Sequence, residues 1–347
     1  MTPAPLVIAG RRVQPGERAR VDIPLPSLYT QTPVLMPVHV LQGRRPGARL
    51  FVTASIHGDE INGVEIIRRL LLQKSLQRLS GTLLAVPVVN VYGYVRQSRY
   101  LPDRRDLNRS FPGSDKGSLA ARLAATLIGE VVAGSTHGID LHTGALHREN
   151  LPQIRVTLDA DERMPALANA FGTPVILDAE ARPGSLRAAA IERAIPLLLY
   201  EGGEALRFDE FAVRAGLRGI LGVMRHLGMI RGHAGRKTLE QKSVVARSSL
   251  WVRADRSGVL LSLTPLGACV KKGETLGIVT DPFRHADEPV LAPASGIVIG
   301  RTNLPLVTEG EGIYHIARYG ELEATVERLE QYRDSLDPDD EENEEIL

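Results

Sequence analysis

From residue 50 to about residue 200 the chain alternates short apolar, β-branched runs with stretches of helical period, and this alternation most narrows the folds open to it. LFVTASI (50–56) is strand-like, while INGVEIIRRLLLQ (61–73) carries an apolar stripe of Ile61, Val64, Ile67 and Leu71 at helical spacing. GTLLAVPVVN (81–90), Gly138 to Leu141, TPVIL (173–177) and IPLLLY (195–200) read as further strands, with helices over 119–132 and 163–171. Strands of continuous apolar character separated by helices predict an α/β fold: a mixed, mostly parallel sheet with helices on both faces. In such sheets function sits just beyond the C-terminal ends of the strands.

After residue 245 the pattern changes. LWVRA, GVLLSL, LGIV and GIVIG alternate with Gly and Pro turns, and helical period does not return until Glu321. The expected division is a catalytic domain over 1–245, a smaller all-β domain over 246–320, a helix over 321–336 and an acidic tail over 337–347. The helix is read from Leu322, Val326, Leu329, Tyr332 and Leu336; the tail holds seven carboxylates and no Lys or Arg, a composition typical of a solvated, disordered segment.

Composition excludes several functions. The formal net charge is +1, so there is no global basic field to draw nucleic acid or anionic lipid, and 15 Phe, Trp and Tyr offer few stacking surfaces. Lone Cys269 can make neither an intrachain disulfide nor a cysteine zinc site, which points to a reducing compartment. The longest apolar stretch, Leu83 to Val95, is interrupted by Pro87 and Asn90 and falls short of the roughly 20 residues a bilayer crossing needs. MTPAPLVIAGRR lacks the pattern of a signal peptide. A cytoplasmic protein with no nucleic-acid or membrane partner is expected, its oligomeric state left open.

Four segments carry chemistry. His57-Gly58-Asp59-Glu60 follows the strand LFVTASI where the chain turns into a helix, and His57 and Glu60, three apart, can aim a nitrogen and an oxygen at one point. The same spacing also serves helix capping or a salt bridge. His142 ends the apolar run Gly138-Ile139-Asp140-Leu141; two His and one Glu on a sheet edge make a catalytic zinc set, with Asp140 or a backbone carbonyl able to orient a ligand from behind. A hydrogen-bonded histidine at a strand end is the plainer alternative. Glu201 follows IPLLLY and precedes Gly202-Gly203, where burial would raise its pKa toward that of a general base, with Glu204 as a fallback. The segment from Arg96 to Arg109, RQSRYLPDRRDLNR, sets five Arg against two Asp before Ser110-Phe111-Pro112-Gly113, and Arg suits carboxylate recognition and oxyanion stabilisation.

HGDE, then RDLNRSFPG, then DLHTG, then a Glu after an apolar strand form an ordered set that resembles the succinylglutamate desuccinylase and aspartoacylase family, of the zinc-carboxypeptidase-like superfamily. The resemblance covers roughly residues 45 to 210. It implies one Zn2+ per chain held by His57, Glu60 and His142, Glu201 as general base and proton shuttle, and Asn108 and Arg109 holding a substrate carboxylate. Arg99-Tyr100 resembles the family's Arg-Tyr pair, whose Arg polarises the scissile carbonyl, although the stretch to Asp106 is about two residues longer here. The β segments GVLLSLTPLGACVKKGETLGIVTDP and EPVLAPASGIVIGRTNLPLVTEGEGIYHIA resemble halves of a biotinyl or lipoyl barrel-sandwich, but the connection TDPFRHADEP has no Lys to carry a prosthetic group.

The chemistry fits independently of the family. Zinc can bring the pKa of water from about 16 to about 7, a Glu can relay the proton, and there is neither a G-x-S-x-G nor a G-x-x-x-x-G-K-[ST] motif to suggest another mechanism. The expectation is a zinc-dependent deacylase of N-acyl amino acids or related small carboxylates. A metallocarboxypeptidase acting on short peptides and a non-catalytic binding protein on a degenerate hydrolase fold are the alternatives.

Overall fold

The computed structural model describes residues 3–231, 243–283 and 286–318, together with Tyr332 and Leu336. β1 (Leu6–Ile8) and β2 (Arg11–Val13) pair as a small hairpin. β3 (Arg18–Leu25), β4 (Val34–Gln42), β5 (Arg45–Ala54), β6 (Ser80–Val86), β7 (His137–Gly144), β8 (Arg148–Val156), β9 (Val175–Asp178) and β10 (Leu197–Glu204) follow in the chain. Between them lie α1 (Asn62–Leu72), α2 (Val91–Val95), α3 (Leu119–Leu127), α4 (Met164–Phe171) and α5 (Leu186–Ile191), and α6 (Glu210–His226) comes after β10.

The sheet is parallel at its centre, where β6, β5, β7 and β10 lie side by side, and again where β9 pairs with β8 and with the later strand Val244–Ala246. β3 and β4 flank one side antiparallel and β8 reverses direction on the other, so the sheet is more mixed than the apolar runs suggested. Helices cover both faces, as expected. Because side chains alternate along a strand, Leu50, Val52 and Ala54 pack with α1, α4 and α6, while Phe51 between them packs with α3 and α5.

Every described element from 244 to 318 is a strand: β11 (Val244–Ala246), β12 (Ser248–Arg253), β13 (Gly258–Ser262), β14 (Cys269–Val270), β15 (Thr275–Asp281), β16 (Ala286–Leu291), β17 (Gly296–Thr302), β18 (Leu306–Val307) and β19 (Gly312–Arg318). β13, β15, β16 and β18 form a four-stranded sheet, and a core including Val252, Leu276, Val298 and Tyr314 lies between it and β12, β17 and β19. Those last three strands are not a sheet of their own. β17 pairs with β8, so the central sheet runs from β3 to β12 without a break.

Two positions of the expected C-terminal helical stripe are described, and both are buried in the main core. The Tyr332 ring stands edge-on to Phe211 at 6.0 Å, and the Leu336 carbonyl accepts from Arg214 at 3.2 Å. The rest of 321–336 and the tail 337–347 lie outside the described residues. No described helix is long and apolar enough to cross a membrane.

Candidate metal and active site

The site lies at the C-terminal ends of β5, β7 and β10. Beyond β5 the chain turns at Ser55, whose backbone is left-handed (φ +51°) and whose hydroxyl donates to the Glu60 carbonyl at 3.1 Å. This bend takes the chain out of the sheet and into the His57–Glu60 turn, closed by the Glu60 N–H on the His57 carbonyl at 3.1 Å. Gly58 is required by a close approach: a Cβ there would stand 2.1 Å from the Gly93 carbonyl carbon.

His57, Glu60 and His142 offer ligand atoms that all lie within 4.8 Å of one another, so the three could hold a metal ion. The Nδ1 atoms of His57 and His142 each face one oxygen of Glu60 at 2.7 Å. The opposite ring nitrogens are fixed by carboxylates, Asp106 at 3.1 Å from His57 Nε2 and Asp140 at 2.8 Å from His142 Nε2. Carboxylates behind metal-binding imidazoles set their orientation and raise their basicity. Asp140, one of the two candidates for a group behind the histidines, contacts His142; Asp106 was legible only as a letter of the DLNR motif.

The charges favour a cation. Burial alone would raise the Glu60 carboxyl, but the two histidines overcome it and hold Glu60 well below the usual carboxylate range. Burial works against a charge on either histidine, yet Glu60 with Asp106 raises His57, and Asp140 with Glu60 raises His142 well above its ordinary value. Glu60, Asp106 and Asp140 bring three negative charges and Arg99 one positive. With both imidazoles neutral the group would carry a net charge of −2, which a divalent cation bound there would balance.

Seven of the residues singled out from the sequence line one cavity of about 470 Å³: His57, Glu60, Arg99, Asn108, Arg109, His142 and Glu201. That volume is within the range of small-molecule sites. Arg99 donates to Glu60 at 3.3 Å and to Asp106 at 3.0 Å, whereas Tyr100 is half-exposed and lies outside the cavity lining. Asn108 Oδ1 accepts from the N–H of Leu186 at 2.9 Å, which anchors the start of α5 and leaves the amide NH2 as the free end.

Glu201 is the register partner of His142 on the adjacent parallel strand, so the two side chains stand side by side. It lies within β10 rather than after it, since the strand continues through a bulge to Glu204. Gly203 makes that bulge possible, with φ +75° and no room for a Cβ, which would stand 2.4 Å from Asn62 Nδ2. The Glu201 side chain is 14% exposed, with Oε2 held by Asn150 at 2.7 Å and Oε1 3.5 Å from Arg155. Glu204, the fallback, accepts instead from His147 N–H and Asn303, both at 2.9 Å, and does not line the cavity.

The sequence reading missed Arg187, Arg155, Trp251 and His315, which also line the cavity. Arg187 donates to the Glu180 carbonyl at 2.7 Å, but its Nη1 is buried without a partner. Burial, with Arg155 nearby, pushes its pKa down to about 10. An acceptor-poor buried guanidinium in a cavity wall is suited to an anionic ligand. No motif marked it, because SLRAAA reads as an ordinary helix start.

The sheet thus brings a His-Glu-His cluster that could hold a metal ion beside the Glu201 carboxylate, at the wall of one cavity. The profile of the succinylglutamate desuccinylase/aspartoacylase catalytic domain matches residues 46–227, and the chain belongs to that family. A similar curated protein is the N-alpha-acetyl-L-2,4-diaminobutyric acid deacetylase of Halomonas elongata, 29% identical over 300 residues, which are 82% of this chain and 86% of that one. Among solved structures, a succinylglutamate desuccinylase/aspartoacylase from Rhodobacter sphaeroides superposes with a TM-score of 0.77 at 25% identity, covering 88% of this chain and 95% of the other. The ectoine utilization protein EutE (DoeB) from Ruegeria pomeroyi shares the fold, with a TM-score of 0.76 at 24% identity over 90% and 98% of the two chains.

Proposed function

We propose that this chain is a zinc-dependent deacylase that hydrolyses the amide bond of an N-acyl amino acid. The observation that carries the reading is the presence of His57, Glu60, His142 and Glu201 around one small-molecule cavity. A Zn2+ ion held by the first three would make water acidic enough to lose a proton near neutral pH. Glu201, alongside His142, takes the proton of the water as its oxygen bonds to the amide carbon. The same carboxyl gives the proton to the nitrogen as the C–N bond breaks, leaving a free carboxylate and a free amine. Arg99 places positive charge beside the ligands, where the carbonyl oxygen becomes negative.

Substrate recognition is assigned to the basic side of the cavity. Asn108 and Arg109 hold a carboxylate of the amino acid, and Arg187 offers the unpartnered donor that a second anionic or carbonyl group would satisfy. The H. elongata deacetylase makes N-acetyl-diaminobutyric acid the first compound to try. The deciding experiment is metal analysis combined with a hydrolysis screen over N-acetyl, N-succinyl and longer N-acyl amino acids. Glu201→Gln should keep its metal and lose roughly a hundred- to ten-thousand-fold in kcat. Near-normal turnover would remove Glu201 from the mechanism, and equal rates on peptides several residues long would favour a metallocarboxypeptidase instead.

A further inference from the structure

We infer that Asn150 is a positioning residue for Glu201 and that Gly300, from the C-terminal strands, sets the amide of Asn150. The inference rests on Glu201 being the general base. A carboxylate that must meet a water at a fixed place needs its side chain locked, since a displacement of about 1 Å can cost a hundredfold in rate. Asn150 is buried and gives Glu201 Oε2 its shortest contact, an Nδ2 donor at 2.7 Å. The amide must face that way, because an Oδ1 turned toward a carboxylate oxygen would be repelled. A neutral donor fixes the carboxylate with less loss of basicity than a cation at the same distance would cause. Arg155, at 3.5 Å from the other oxygen, leaves Oε1 the less constrained of the two.

The other end of the amide meets a strand that the catalytic half of the chain does not supply. Gly203, Asn150, Gly300 and His315 are successive register partners across β10, β8, β17 and β19. A Cβ on Gly300 would stand 2.9 Å from Asn150 Oδ1 and 3.3 Å from the His315 Cβ. A side chain at 300 would crowd the Asn150 amide, whose Nδ2 is on Glu201. The C-terminal strands thus orient the base through Asn150.

The test is a double-mutant cycle of Asn150→Ala and Glu201→Gln, with the crystal structure of each single variant. Asn150→Ala is expected to lower kcat on an N-acyl amino acid roughly ten- to a hundredfold, with KM within about threefold and metal content unchanged. In the Glu201→Gln background it should cost almost nothing further, since a residue acting through Glu201 has nothing left to position. The Glu201 side chain should leave its position in crystals of Asn150→Ala, and Gly300→Ala should reproduce both the kcat loss and the displacement. An unmoved Glu201, or losses that multiply in the double variant, overturns the inference. Glu201→Gln with near-normal turnover overturns the base assignment instead, and the crystal structures still decide whether Asn150 holds the carboxylate.

Discussion

At the scale of single residues the site is governed by charge. Asp106 and Asp140 are each one hydrogen bond from an imidazole, and an amide in their place would keep the shape while removing a negative charge from the group. Asp106→Asn and Asp140→Asn should each weaken metal binding roughly ten- to a hundredfold, measured by competition against a chelator; unchanged affinity in both would mean the ligands are oriented by something else. Arg187 tests the opposite sign. Its Nη1 is buried without an acceptor and burial depresses its pKa to about 10, so the side chain costs the fold stability. Arg187→Met should raise the thermal midpoint while raising KM about tenfold or more, and a stabilised variant with unchanged KM would take Arg187 out of substrate binding. The candidate ligands His57, Glu60 and His142 were legible from the ordered set of HGDE, DLNR and DLHTG motifs, since the His57–Glu60 spacing by itself serves a cap or a salt bridge equally well. Arg187, Asn150 and Arg155 were not, because their importance comes from what they meet across strands and not from any neighbour in sequence.

At the scale of elements, the turn after β5 shows how backbone packing positions His57. Gly58 lies against the backbone of Gly93 and Tyr94 in α2, where a Cβ would stand 2.1 and 2.2 Å from their atoms. Neither segment can yield by a side-chain rotation, so the contact must be relieved by moving the turn that carries His57. Gly58→Ala should therefore destabilise the protein by about 1–3 kcal/mol in urea unfolding and lower metal affinity as well. A loss of stability with metal affinity intact would show the turn to be independent of the site. The strands at 50–56, 138–141 and 195–200 were legible from apolar runs, and α1 and α4 from their stripes. β8 was not, since Arg148–Val156 mixes Arg, Glu, Asn and Gln with its apolar residues, and of these Arg148, Asn150 and Arg155 line the cavity. α6 escaped notice for a related reason: glycines at 216, 219 and 222 let it pack closely on Ile66, Phe171 and Ala170 but dilute its apolar stripe.

At the scale of the molecule, the change of composition near residue 245 signalled a new run of strands but not their destination. Long-range pairing leaves no periodic mark, so nothing in GIVIGRT announces that Gly300, Arg301 and Thr302 align with Asn150, Glu149 and Arg148. The consequence is a shared core of Leu151, Val175 and Leu177 with Val244, Ile297 and Ala317, and a cavity whose wall includes Trp251 and His315. His315 reports on this junction by pH. It stacks on Trp251 at 4.6 Å and 6°, contacts Ser249 at 2.8 Å, and has a buried Nδ1 with no partner. Burial first, and Arg155 second, push its pKa down to about 3 from the ordinary 6.5. The unfolded chain therefore takes up this proton more readily than the folded one. The stability that His315 contributes is complete above about pH 6.5 and declines as pH falls toward 3, by about 2 kcal/mol at pH 5. His137, similarly lowered to about 4 by burial, adds to the acid sensitivity but is common to any variant compared. His315→Phe keeps a ring against Trp251 and removes the titration. Denaturant unfolding at pH 7 and pH 5 should show wild type losing about 2 kcal/mol more than the variant between the two. Equal losses would mean that the junction opens to admit the proton, and that the C-terminal strands are held to the central sheet less tightly than their continuous pairing implies.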